Sequence, residues 1–78
     1  MAVAYVLVSA LPGRESEVND ELLKVDEVKE VYTVFGEYDL IVKIEADDID
    51  AIGDLVVTKI RKLEGVKDTR TLIGLEID

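Results

Sequence analysis

The chemically most capable side chains of this 78-residue sequence lie together, in the tetrapeptide Gly36-Glu37-Tyr38-Asp39. Two carboxylates flank a phenol there, and a pair of carboxylates can act as general acid and base. The same residues also suit an ordinary tight loop, in which Asp accepts backbone N–H groups and Gly supplies a positive φ. A third interpretation is binding, in which N–H groups near Gly36 hold a carboxylate and Asp39 holds an ammonium group or orders the loop.

The composition removes most other chemistry. The chain has no His and no Cys, which excludes Ser-His-Asp and Cys-His catalytic sets, thiol chemistry and the commonest metal ligand. The carboxylates lack the spacing of an EF-hand, and the glycines form no phosphate-binding loop. We therefore expect no catalytic residues, no metal ligands and no cofactor-binding residues.

The net charge argues against several classes of partner. The chain carries 18 acidic and 9 basic residues, a net charge of −9, which repels phosphate backbones and anionic membranes. The sequence opens without a positively charged leader and contains no apolar run long enough to span a bilayer. We expect a cytoplasmic protein that binds no nucleic acid directly. Abundant charged residues and the absence of Gln, His and Cys are typical of a thermophilic source.

Two apolar, β-branched runs on either side of the tetrapeptide predict a β-hairpin. The other elements follow from unbroken apolar runs, which favour strands, and from apolar residues at helical spacing. In chain order the prediction is a strand over Ala2–Ala10, a helix over Glu15–Val25, hairpin arms over Val31–Phe35 and Leu40–Ile44, a helix from a cap at Asp47 or Asp48 to Gly65, and a strand over Val66–Ile77.

This β-α-β-β-α-β order over residues 1–78 predicts a single α+β domain, a ferredoxin-like sandwich. Right-handed crossovers place both helices on one face of a four-stranded antiparallel sheet with strand order 4-1-3-2. The first strand and the hairpin arms are apolar on both faces, although two helices cover only one face. Leaving such residues wet costs on the order of 1.5–3 kcal/mol each, so we expect a homodimer formed by sheet-to-sheet contact.

The hairpin and the segments after it resemble the effector-binding domain of the Lrp/AsnC family of transcription regulators, also called the RAM domain. Two patterns carry the resemblance: G-x-Y-D after an apolar strand, from Gly36 to Asp39, and G-V-x-x-x-x-T after the second helix, from Gly65 to Thr71. The resemblance covers nearly the whole chain. Full-length members carry an N-terminal helix-turn-helix that is absent from this sequence, so the resemblance is to stand-alone forms of the domain.

The resemblance implies a function. Domains of this family dimerise through their sheets, assemble into tetramers, octamers or larger rings, and bind a small effector, typically an amino acid, between dimers beside the hairpin loop. The implied partners are other copies of the chain, an amino acid, and full-length Lrp/AsnC regulators that mixed assembly would modulate. Carried onto this sequence, the effector-binding residues are Gly36, Tyr38, Asp39, Leu40, Thr69, Thr71 and Glu76. Relatives with a polar amide at the last position bind differently, so an acid there alters the expected preference.

Two other functions fit the same fold. A small dimeric ferredoxin-like enzyme, such as a monooxygenase or an isomerase, usually needs a His, Asn or Arg in the cavity between sheet and helices. The only Arg residues here are Arg14, Arg61 and Arg70. An ACT-like amino-acid sensor would bind its ligand at a Gly-rich turn after the first strand, where this chain has Leu11-Pro12-Gly13. A ligand near Gly13 would favour that sensor.

Overall fold

The strands and helices follow the β-α-β-β-α-β order that the apolar pattern predicts, in a computed structural model that describes residues 1–74. The elements are β1 (Ala2–Ala10), α1 (Glu15–Leu23), β2 (Val28–Thr33), β3 (Leu40–Ala46), α2 (Ile49–Leu55) with a π-helical continuation (Val56–Ile60), and β4 (Val66–Ile73). The strand pairs are antiparallel, in the order β2-β3-β1-β4. The predicted fold class and strand order are confirmed.

The residues of β1 alternate between a covered and an uncovered face of the sheet. Ala4, Val6 and Val8 are fully buried on the helix side, whereas Tyr5, between them, is 43% exposed. Neighbouring strands repeat this alternation because residues paired across strands share a face. The buried core consists of Ala4, Val6, Val8 and Ala10 of β1, Leu40, Val42 and Ile44 of β3, Val18 and Leu22 of α1, and Ile52, Leu55, Val56 and Ile60 of the second helix. One chain therefore buries only the helix-side face.

The first arm of the hairpin starts at Val28 rather than at Val31 as predicted. Val28 pairs with Ile44 and Val31 pairs with Val42, and the register shifts between Val28 and Glu30. An extra residue in one strand breaks the two-residue alternation, which is why the segment before Val31 does not look like a strand. Val34 and Phe35, predicted as strand, belong to the loop instead.

The second helix widens into a π-helical turn that the sequence pattern does not predict. The Arg61 N–H donates to the Val56 carbonyl oxygen at 2.8 Å, a five-residue step. One turn earlier, the Thr58 hydroxyl donates to the Asp54 carbonyl oxygen at 2.6 Å, a contact that often bends helices. Ile52, Val56 and Ile60 recur every fourth residue, which suits a turn slightly wider than the ideal of about 3.6 residues. The widened turn keeps all three against the sheet.

Both helices end earlier than predicted: α1 ends at Leu23 rather than Val25, and the second helix ends at Ile60 rather than Gly65. Asp48, one of two candidate caps, accepts a hydrogen bond from the Ala51 N–H at 2.8 Å, which satisfies one of the free donors at the start of α2. The helical segment ends at Ile60, and the chain reverses through Gly65, whose φ is +90°. Gly65 is buried, and a Cβ there would lie 3.0 Å from Val18 Cγ2. Both its backbone conformation and its surroundings therefore favour glycine.

Gly65→Ala is expected to lower the free energy of unfolding by about 1–3 kcal/mol, because alanine adds backbone strain and a close contact with Val18. The matched control is Gly53→Ala in α2, where a Cβ meets nothing within 4 Å. That change should stabilise by about 0.5–1 kcal/mol, since alanine favours the helix. Urea unfolding at one fixed chain concentration measures both. An equal effect of the two changes would contradict this role of Gly65.

Candidate functional site

The hairpin loop lies at the end of the sheet where β1 finishes. Thr33, Leu40, Val8 and Thr69 form one row across the four strands. The loop between Thr33 and Leu40 leaves the sheet just beyond this row. It is thus a neighbour of the β1–α1 turn and of the start of β4.

Asp39 closes the base of the loop with three hydrogen bonds. Its carbonyl oxygen accepts from the Val34 N–H at 2.8 Å, and its own N–H donates to the Val8 carbonyl oxygen at 2.9 Å. Its side-chain Oδ2 accepts from the Ala10 N–H, also at 2.9 Å. The Asp39 carboxylate thus accepts a backbone N–H, as the tight-loop interpretation expects, and this contact is also compatible with the binding interpretation in which Asp39 orders the loop.

The tip of the loop contrasts with this base. Phe35, Gly36 and Glu37 are exposed, and Phe35 has 106% of its reference surface free. Gly36 has φ +137°, and a Cβ there would meet no atom within 4 Å. Its backbone conformation, and not crowding, is what favours glycine at this position. Tyr38, between tip and base, is half-buried.

The two carboxylates of the tetrapeptide have different surroundings. Asp39 is half-buried and bonded to β1, whereas Glu37 is exposed at the tip. Among residues 1–74, no group of three or more His, Cys, Asp or Glu side chains converges as metal ligands do. The geometry gives no support to a paired-carboxylate device at this loop.

The remaining predicted effector residues do not all meet the loop within one chain. Leu40 has a fully buried side chain, so only its backbone is available to a ligand. Thr69 and Thr71 lie on β4, opposite Val8 and Val6. β1 separates β4 from β3, a gap of two strand spacings or about 10 Å. Glu76 falls outside the residues that the structure describes. Within one chain, the loop and the β4 threonines therefore lie on opposite sides of β1.

The sheet face away from the helices is a second candidate functional surface. Its apolar centre consists of Tyr5, Leu7, Tyr32, Ile41 and Leu72, which we call the open-face cluster. Tyr32 pairs with Ile41, Ile41 with Leu7, and Tyr5 with Leu72. Tyr5, Tyr32 and Leu72 are 43%, 57% and 50% exposed. Apolar side chains left wet in one contiguous area, with charged neighbours, mark an interaction surface.

Charged side chains border this cluster on β2 and β3. The Lys43 Nζ lies 3.6 Å from a Glu30 carboxylate oxygen and 4.0 Å from one of Glu45. The Tyr32 hydroxyl donates a hydrogen bond to the Glu30 carboxylate. That hydrogen bond and, after it, the negative charge of Glu30 raise the pKa of Tyr32 above its ordinary value.

Two cavities formed by residues 1–74 lie away from the hairpin. The larger measures about 460 Å³ and is lined by Met1, Ala2, Asp47 to Asp50 and Gly74, at the opposite end of the sheet. The smaller, about 290 Å³, lies between α1 and the residues after the π-helical turn. Neither of these two cavities includes a residue of the loop, whose tip from Phe35 to Glu37 is exposed. Within residues 1–74, no helix has the length and apolarity to cross a bilayer.

The fold and its projecting loop define a small ferredoxin-like module, and its sequence places it in a known family. The chain belongs to the Lrp/AsnC ligand-binding domain family, whose model matches residues 3–77. The HTH-type transcriptional regulator FL11 of Pyrococcus furiosus is 33% identical over 75 residues, covering 96% of this chain and 49% of the regulator. The chain spans about half the length of the curated relatives it matches.

Solved structures share the whole architecture. The crystal structure of FFRP-DM1 is 43% identical with a TM-score of 0.92, covering 96% of this chain and 100% of that one. The regulator NMB0573 of Neisseria meningitidis, solved as an L-Met complex, is 22% identical with a TM-score of 0.86, covering 96% of this chain and 50% of that one. The second likeness establishes the common fold alone.

Glu30→Gln is expected to lower the pKa of Tyr32 towards its ordinary value, because the change removes the charged hydrogen-bond acceptor. The raised pKa means that the Tyr32–Glu30 contribution to stability is present below the ordinary tyrosine pKa. It is lost as the pH rises through the raised pKa of Tyr32. Ultraviolet absorbance of phenolate follows the titration of the three tyrosines. The variant Tyr32→Phe identifies the part of the absorbance change that belongs to Tyr32. A titration that Glu30→Gln leaves unchanged would contradict the assignment.

Proposed function

We propose that the chain is a regulatory module that assembles with copies of itself and binds a small effector, an amino acid, beside its hairpin loop. The observation that carries this function is the loop, with a hydrogen-bonded base at Asp39 and an exposed tip at Gly36, in a chain of the Lrp/AsnC ligand-binding family. Relatives of about twice the length are named transcriptional regulators. The proposed output is modulation of such regulators by mixed assembly.

The loop suits the backbone groups of an amino acid. Gly36 and its exposed neighbours offer backbone N–H groups at the tip of the loop, and these are the donors we assign to the effector carboxylate. The missing side chain lets the effector approach the loop closely. Half-buried Tyr38 provides the flank of the site. The family match and the L-Met complex of the fold neighbour NMB0573 support an amino acid as effector.

In the proposed assembly, a second copy of the chain covers the open-face cluster of the first. Interfaces of standard size bury about 800 Å² on each partner around an apolar centre, with a polar rim. Tyr5, Tyr32 and Leu72 would form such a centre, and Lys43 and Glu30 would belong to its rim. Since the helices occupy the other face, this dimer leaves both hairpin loops exposed.

Dimers then meet at their loops, in an octamer or a larger ring. This step brings the loop of one dimer near another chain, which would supply Thr69, Thr71 and Glu76 to the effector. The separation of the loop from the β4 threonines within a single chain supports a shared site of this kind. Within residues 1–74, the helix-sheet side has no His, Cys or cluster of metal-ligand type that would favour the enzyme.

Isothermal titration calorimetry against the twenty standard amino acids tests effector binding. We expect heat for one or a few of them, and at least a tenfold loss of affinity in Gly36→Val, because a β-branched residue is strained at φ +137°. Gly53→Ala, in α2 and far from the loop in sequence, is the control and should bind as the wild type does. Absence of heat for every amino acid would contradict the proposed function.

Light scattering of two glutamate variants tests the sheet-to-sheet dimer. Leu72→Glu places a charge in the open-face cluster and should weaken the dimer by about tenfold or more, because an unpaired charge resists burial. Leu23→Glu is the matched control, since Leu23 is 58% exposed on α1 and lies on the helix side. Equal dimer dissociation constants for Leu72→Glu and the wild type, determined from the masses over a dilution series, would contradict this interface.

A further inference from the structure

Next to the hairpin loop, where the backbone pairing of β3 with β1 stops, a side-chain oxygen replaces the backbone hydrogen-bond acceptor. β1 and β3 pair with Val8 opposite Leu40, and the next pair in that register would set residue 38 opposite Ala10. β3, however, begins at Leu40. The Ala10 N–H therefore has no backbone partner on that side, and Asp39 Oδ2 accepts it at 2.9 Å. Ala10 is only 6% exposed, so this N–H group needs a partner within the protein.

The end of β1 that receives Asp39 is itself held from the other side. Leu11, the residue after Ala10, donates its N–H to the Gly65 carbonyl oxygen at 2.7 Å. The β1–β4 register also shifts between Ser9 and Ala10. Asp39 is thus attached to a segment that the buried turn at Gly65 keeps in place. A carboxylate held there can fix the direction in which the loop leaves the sheet.

From these contacts we infer that Asp39 is a positioning residue: its carboxylate orients the Gly36 tip by holding the Ala10 N–H, and the effector's ammonium group is not its partner. The inference rests on the proposed function and narrows it. The effector is then recognised by the exposed backbone of the tip and by other chains. Asp39 acts through the hydrogen bond, so what matters is an acceptor oxygen and not a negative charge.

Substitution of Asp39 by Asn distinguishes a hydrogen-bond acceptor for the Ala10 N–H from a charged partner of the effector's ammonium group. Asp39→Asn keeps an oxygen that can accept from Ala10 and removes the charge, whereas Asp39→Ala removes both. Asp20→Ala, on the exposed surface of α1, is the control for loss of one carboxylate elsewhere. Amide hydrogen exchange of Ala10, followed by NMR, reports the anchor directly and needs no ligand. We expect exchange about tenfold or more faster in Asp39→Ala, as the loss of a hydrogen bond to a charged group predicts. Exchange in Asp39→Asn should stay much closer to that of the wild type, and exchange in Asp20→Ala should equal it.

Affinity for whichever amino acid the wild type binds is the second readout. Asp39→Asn should bind within about threefold of the wild type, which is less than the effect of one hydrogen bond to a charged group, while Asp39→Ala should bind more weakly. A loss of affinity in Asp39→Asn as large as that in Asp39→Ala would overturn the inference, because it would show that the negative charge of Asp39 interacts with the ligand. Unchanged Ala10 exchange in Asp39→Ala would overturn it too. If the wild type binds no amino acid, the proposed function fails, and Ala10 exchange alone decides whether Asp39 is the anchor.

Discussion

Two helices cover one face of a four-stranded sheet, and the other face keeps Tyr5, Leu7, Ile41 and Leu72 near its centre. The core of a chain this small has little stability to spare, and it is built entirely from the helix-side residues. The opposite face exposes apolar surface to water, and a second copy of the chain can cover that surface. Since the sheet itself provides both surfaces, folding and the proposed assembly depend on the same alternation of side chains.

The hairpin loop is organised by the same sheet. Its base is held by backbone and side-chain hydrogen bonds that end on Val8 and Ala10 of the central strand β1. Its tip, from Phe35 to Glu37, extends into solvent. For the proposed binding role, the base would fix the position of the loop and the exposed tip would be accessible to a ligand. The polar groups that define the loop are mostly backbone groups, which agrees with a chain that has no His or Cys to offer as a reactive side chain.

The sequence predicted the parts of the fold that depend on local pattern. The apolar runs of β1 and β3, the cap at Asp48 and the turn at Gly65 each follow from residue type and spacing, and the structure places them as expected. The π-helical turn was not predicted, because its hydrogen bonds differ from those of an α-helix by one residue while the apolar spacing is nearly the same. The start of β2 was missed because a register shift hides its alternation.

The candidate site was predicted less completely. The loop was located, since Gly and Asp between two apolar runs indicate a hairpin, but the role of Asp39 was left open. Its partner Ala10 lies 29 residues away in the sequence, and only the register of β1 against β3 brings the two together. The distance between the loop and Thr69 likewise follows from strand order, because β1 lies between β3 and β4.

Native mass spectrometry of the intact protein, with and without free amino acids, tests the central claim that a second copy covers the open sheet face. We expect only even multiples of the 8.7 kDa chain, from the dimer upwards, and added mass or a shift to larger even assemblies when an effector is present. A spectrum dominated by the single chain at micromolar concentration would contradict the claim, because the open-face cluster would then be stable in water.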